Sequence, residues 1–212
     1  MKVVDVYLFG QILGTHSFLL KDGFLKPDEY SEIKEQYFLP GGETGTAVTV
    51  LDSMGVTVRI DGTWIGTEVA PMLRDFYAGT GVDLSSLTFS DDTGVMDYVV
   101  IAGLVRSPMG HLVMKLMMQE TEGLTILTQG GGDMLYGRRG EEIHRMQPFD
   151  ITVRSTLGAG DTFKAGCVYA LLNGFSDMET VRFASACSAV AISRFPLPLN
   201  PPKKDEINEL LR

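Results

Sequence analysis

The segment RSTLGAGDTF, residues 154 to 163, sets Gly158, Ala159 and Gly160 directly before Asp161 and an apolar helical pattern. Glycines let the backbone turn sharply and leave amide N–H groups uncovered. If a helix starts at about Asp161, its first amides lack intrahelical acceptors and point the same way. Such a place binds anions, and it stabilises negative charge developing on a transferring phosphoryl group. A carboxylate there, kept ionised by the positive end of the helix, can accept a proton from a hydroxyl attacking phosphorus. The same residues also describe an ordinary tight turn with Asp161 as N-cap. Taken alone, the segment leaves both readings open.

Two further glycine groups deserve the same question. Gly41 and Gly42, followed by Glu43, head a helical stripe of Ala47, Val48, Val50, Leu51 and Met54, with Gly55 at the C-cap position. Thr128, Gly130 and Gly132 lie between the strand-like LTILT and the hairpin-like MLYGRRGEEIHRM, whose centre is Arg-Arg-Gly. Both groups also fit plain loops in which glycine only shapes a turn.

The elements that must position these groups alternate. Val3 to Phe9 reads as a buried central strand ending at Gly10, and VTVRI as another. Residues 17 to 39 suggest short strands and turns. Val69, Met72, Leu73 and Phe76 repeat at helical spacing, closed by Gly79 or Gly81. A turn at Asp91 to Gly94 leads to a strand ending near Ala102, and HLVMKLMMQE forms a short apolar helix. Beyond Thr162 come a helix through Phe163, Gly166, Cys167 and Ala170, and a second one opened by the capping box Ser176 to Glu179. Ile207, Leu210 and Leu211 suggest a last short helix. Strands alternating with helices predict one α/β domain, residues 1–212, with a largely parallel sheet.

Composition narrows the partners. The 212 residues carry 27 acidic against 18 basic groups, a net charge of -9, which argues against a nucleic-acid surface. No apolar stretch is long enough to span a membrane. Asp5 inside the first apolar run argues against a signal peptide. Cys167 and Cys187 sit in apolar helical patterns as buried thiols, and His16, His111 and His144 are scattered without metal-ligand spacing. A reducing cytoplasm is the expected setting.

The longer string STLGAGDTFKAG closely resembles the C-terminal signature of the ribokinase-like, or PfkB, carbohydrate kinases, through Gly158, Ala159, Gly160, Asp161, Phe163, Ala165 and Gly166. The resemblance implies a ribokinase-like three-layer α/β/α sandwich with a mostly parallel central sheet and a small β-lid, here shortened in the middle. It implies ATP-dependent phosphorylation of a sugar or nucleoside hydroxyl with Mg2+. Asp161 would be the general base, and Gly158, Ala159 and Gly160 the anion hole. Gly41, Gly42 and Glu43 would line the sugar pocket, Glu43 standing where many relatives carry Asn; a carboxylate accepts hydrogen bonds but cannot donate them. Thr128, Gly130 and Gly132 would contact nucleotide. Residues 11 to 39 and 88 to 102 would form the lid, through which a homodimer could assemble. Gly10 also fits the family, but Thr15 and His16 occupy the region of its substrate-binding aspartate. Ser155 replaces an acidic residue near the family's monovalent-cation site, so potassium activation does not carry over. No Walker-type loop occurs.

The resemblance runs from Val3 to about Ala102 and from Leu124 to Arg212, leaving only Gly103 to Gly123 where the family has further strand–helix units. No Asn-x-x-Glu motif, which orders magnesium and phosphates in the family, is present. An internal deletion after Gly110 would leave sheet edges and helix faces uncovered. Two expectations therefore stand: an active sugar kinase, or a shortened relative that binds nucleotide or sugar without turnover. Met109, Met114, Met117 and Met118 read as core packing.

Overall fold

The computed structural model describes residues 3–21, 30–61, 64–90 and 110–212. The expected turn at Asp91 to Gly94, the strand ending near Ala102, most of the second lid segment and Met109 lie outside the described residues, whereas the proposed deletion junction after Gly110 falls at the start of a described helix, Gly110–Glu120. Two compact units form, one from Met1–Asp97 with Pro198–Asn200, the other from Tyr98–Leu197 with Pro201–Arg212.

In the first unit, β1 (Val6–Phe9), β4 (Val58–Asp61) and β6 (Val82–Asp83) make a parallel sheet in the order β1-β4-β6. The register sets Val6 beside Val58, Leu8 beside Ile60, and Val58 beside Val82, so one face is wholly apolar. Side chains alternate faces along each strand. The other face therefore gathers Tyr7, Phe9, Arg59, Asp61 and Asp83. Val58 and Ile60 are fully buried, whereas Tyr7 is 54% and Phe9 76% exposed. This corrects the sequence expectation for β1: β4 is central among the described strands, and β1 is half open. The apolar run misled because aromatic residues raise strand propensity on either face. Arg59 spans to Asp83 through Nε at 2.9 Å and Nη2 at 2.8 Å, and hydrogen bonds from Ser85 and Arg59 lower the Asp83 carboxyl to about 2.

A long antiparallel ribbon, β2 (Leu13–Leu20) with β3 (Ile33–Gly41), replaces the short strands expected over residues 17 to 39. β5 (Trp64–Ile65) pairs in parallel with β7 (Thr88–Phe89). Helix α1 (Gly42–Ser53) runs into Gly55 and α2 (Ala70–Phe76) into Gly79, both glycines at positive φ as their stop positions require. Buried Val48, Val50 and Leu51 give α1 its core face.

In the second unit the sheet is antiparallel, not parallel: β8 (Thr125–Leu127), β9 (Met134–Gly137) and β10 (His144–Met146) pair in the order β10-β9-β8. The hairpin read around Arg138-Arg139-Gly140 is β9–β10. Around it lie α3 (Gly110–Glu120), α4 (Ala159–Leu172), α5 (Asp177–Ile192) and α6 (Lys204–Leu210). One core cluster joins Met134 and Tyr136 to Phe163, Val181 and Ala184; another joins Met114 and Met118 to Leu135. Met117 departs from expectation and is 46% exposed, although it is spaced to share a helix face with buried Met114 and Met118. α4 packs on α5 so closely that a Cβ at Gly166 would stand 2.7 Å from Ala184 Cα and 3.1 Å from Cys187 Sγ. Cys187 is buried and Cys167 half-buried, and both thiols are free. Burial pushes Cys167 up to about 12 and Cys187 upward as well. Among the described residues, no helix is long and apolar enough to cross a membrane.

Candidate active site

The glycine loop at 158 to 160 starts a helix earlier than its sequence suggests. Gly158 is the N-cap, at φ +78, and α4 begins at Ala159. Asp161 is therefore inside the first turn. The reading of Asp161 as an ordinary N-cap is thus set aside, and the N-cap itself has no side-chain hydrogen bond. A left-handed cap is natural for glycine and strained for most other residues.

The first-turn amides divide into two sets. Ala159 N–H donates to Thr156 O at 3.3 Å, and Thr162 N–H to Gly158 O at 2.9 Å. Among the described residues, the amides of Gly160 and Asp161 have no backbone acceptor. The two open donors are thus Gly160 and Asp161, whereas Ala159, read as part of the anion hole, spends its amide on the turn. Gly160 is exposed, and a Cβ built on it would meet nothing within 4 Å. The Asp161 side chain is 26% exposed and lies 4.0 Å from Lys164 Nζ. Its partial burial pushes the carboxyl above its ordinary 3.8, which makes the carboxylate a stronger base than a fully solvated one.

Helix α5 holds this loop at both ends. The amides of Arg154 and Ser155 both donate to Ile192 O, at 2.8 and 3.1 Å. Ser188 Oγ donates to Ala159 O at 3.0 Å. Neither contact was legible beforehand, since a serine inside an alanine-rich helix carries no sequence signal of a remote partner. Ser155 Oγ accepts from Leu157 N–H at 3.3 Å, stiffening the approach to the loop.

In the same unit, Thr128, Gly130 and Gly132 surround the β8–β9 connection. A turn closes there as Gly132 N–H donates to Gln129 O at 3.0 Å, with Gly130 at φ +60 and Gln129 Nε2 donating to Asp133 O at 2.7 Å. Thr128 and Gly130 are exposed; the Gly132 amide is taken by the turn.

Gly41, Gly42 and Glu43 belong to the other unit. Gly41 caps α1 in an extended conformation, Gly42 sits at φ +80, and Glu43 is exposed in the first turn. Thr44 N–H donates to Gln11 O at 3.0 Å. A Cβ on Gly41 would overlap Thr15 Oγ1, and one on Gly42 would stand 2.9 Å from Gln11 O. Thr15 is thereby accounted for by packing. His16 is exposed on β2 and stacks on Phe38 at 4.5 Å. Among the described residues, no group of three or more His, Cys, Asp or Glu could hold a metal ion.

Comparison with known proteins follows this division. Residues 110–197 match the pfkB family carbohydrate kinase model. The 5-dehydro-2-deoxygluconokinase of Bacillus subtilis (strain 168) is 31% identical over 81 residues, which are 38% of this chain and 24% of that protein. The match thus spans about a quarter of the relative's length. The ribokinase of Thermotoga maritima superposes with a TM-score of 0.70 at 16% identity, over 99% of each chain. The ribokinase of Arabidopsis thaliana, solved with ribose and ATP, gives 0.69 at 13% identity, covering 100% of this chain and 99% of that one. The fold is ribokinase-like, an α/β fold with a parallel sheet and small antiparallel sheets.

Proposed function

We propose that this chain, whose residues 110–197 match the pfkB family carbohydrate kinase model, transfers a phosphoryl group from ATP to a hydroxyl of a sugar or related small molecule, with Asp161 as general base. The observation that carries this reading is the first turn of α4, where two unpaired amides, of Gly160 and Asp161, adjoin a half-buried carboxylate of raised basicity. The acceptor hydroxyl gives its proton to Asp161 as its oxygen attacks the γ-phosphorus, the bond to the β–γ bridging oxygen breaks, and ADP leaves. Negative charge on the transferring group meets the open amides at the positive end of the helix. ATP arrives with its own Mg2+, which neutralises phosphate charge; the chain's residues bind, orient and take the proton.

Thr128 and Gly130 are the exposed groups suited to nucleotide contact. Gly41, Gly42 and Glu43 are suited to a hydroxylated acceptor, Glu43 acting only as hydrogen-bond acceptor. The β2–β3 ribbon is the surface through which two copies would associate.

The test is ADP release on a panel of sugars and nucleosides, with the wild-type chain beside Asp161→Asn. Turnover on one acceptor, with loss on substitution and no change in nucleotide affinity, supports the reading. An Asn variant as fast as wild type removes Asp161 from the mechanism. The missing Asn-x-x-Glu motif, with no group of three or more His, Cys, Asp or Glu able to hold a metal among the described residues, favours a second reading, a nucleotide- or sugar-binding relative without turnover. Calorimetric binding of nucleotide with no ADP release on any acceptor would select it.

A further inference from the structure

Ser188 Oγ donates to the carbonyl of Ala159, and that carbonyl belongs to the same peptide group as the Gly160 N–H. A peptide group is planar and rigid, so fixing its oxygen fixes the direction of its N–H. A hydrogen bond accepted at the oxygen also polarises the amide and strengthens it as a donor. One turn further along α5, Ile192 O takes the amides of Arg154 and Ser155 at 2.8 and 3.1 Å. Positions 188 and 192 lie on one face of the helix. The two contacts clamp the loop at its entry and at the first turn of α4, while Gly166 brings the two helices close enough for a short serine to reach.

We infer that Ser188 is a positioning residue for the open Gly160 amide, acting through the Ala159–Gly160 peptide and not on substrate directly. This rests on the reading of the α4 first turn as the phosphoryl-transfer site. Ser188 is half-buried, and alanine at this position fits the helix, which already carries alanine at four of its ten buried positions.

The decisive variants are Ser188→Ala and Ser188→Thr, the second keeping the hydroxyl. In the protein without ligand, the Gly160 N–H proton resonance should move upfield in Ser188→Ala and return in Ser188→Thr. Titration with inorganic phosphate should show Gly160 responding about two- to ten-fold more weakly in the alanine variant, the loss of one neutral hydrogen bond. With an acceptor in hand, kcat should fall by about the same factor while the acceptor KM stays put, because the contact acts on charge developing in the transition state. An unmoved Gly160 resonance and unchanged phosphate response in folded Ser188→Ala would overturn the inference, as would failure of threonine to restore them. Should the wild-type chain turn over no acceptor, the kinase reading fails by itself. The resonance still decides the role of Ser188.

Discussion

Glycine stands at the N-cap of both α1 and α4, and the glycines around these two helix starts are there for different reasons. At the start of α1, the protein's own packing excludes a side chain: Thr15 fills the space beside Gly41, Gln11 O crowds Gly42, and Ile12 crowds Gly45. At the start of α4, Gly158 is required by its left-handed φ, but Gly160 faces open space with its amide unpaired. Glycine in a helix costs about 0.5–1 kcal/mol relative to alanine. At Gly41 and Gly42 the structure accounts for that cost internally. At Gly160 it does not, and the proposed function supplies a reason, an anion approaching the open amide.

Substitutions can break this contrast. Asp161→Asn has the largest expected effect, a fall in turnover of about 10²–10⁴-fold, the usual worth of a positioned general base. Its stability change has a definite sign. The native carboxyl is raised above its ordinary 3.8 by burial, so between that value and the raised one the native state holds more proton than the unfolded chain. The group's contribution to stability therefore falls as pH rises through that window, and the Asn variant should be relatively more stable above it, as denaturant titration at acid and neutral pH would show. Gly42→Ala comes next. It forces a Cβ into the left-handed region and against Gln11 O, and should cost about 2–3 kcal/mol or more. Gly166→Ala should cost about 1–3 kcal/mol by urea unfolding, since the added methyl meets Ala184 backbone between two packed helices. A neutral result at either position would show that packing does not demand those glycines, and the contrast with Gly160 would lapse.

Much of this was legible in the sequence. The capping box at Ser176 and Glu179, the stop glycines at 55 and 79, and the β9–β10 hairpin are local devices, and local devices write themselves into adjacent residues. Ribbon length, the half-open face of β1 and exposure of Met117 depend on which surfaces meet, and neighbouring residues do not specify that. The same limit applies at the site. Asp161 and its glycines stand in one short string, so a helix start beside a carboxylate was readable from them. Which first-turn amides stay open was not, because the Thr156 carbonyl takes Ala159 and α4 starts before Asp161. Ser188 is farther still, 29 residues from its partner in sequence, and only the packing of α4 on α5 reveals it.

Gly160→Ala tests the central claim most directly, although its expected effect on stability is the smallest. Thermal unfolding and titration with inorganic phosphate and ATP should be measured on the same sample. The account predicts a variant more stable by about 0.5–1 kcal/mol that binds phosphate more weakly and loses turnover, because the added methyl fills space meant for ligand. A variant that gains the stability and keeps wild-type anion binding and turnover would contradict it.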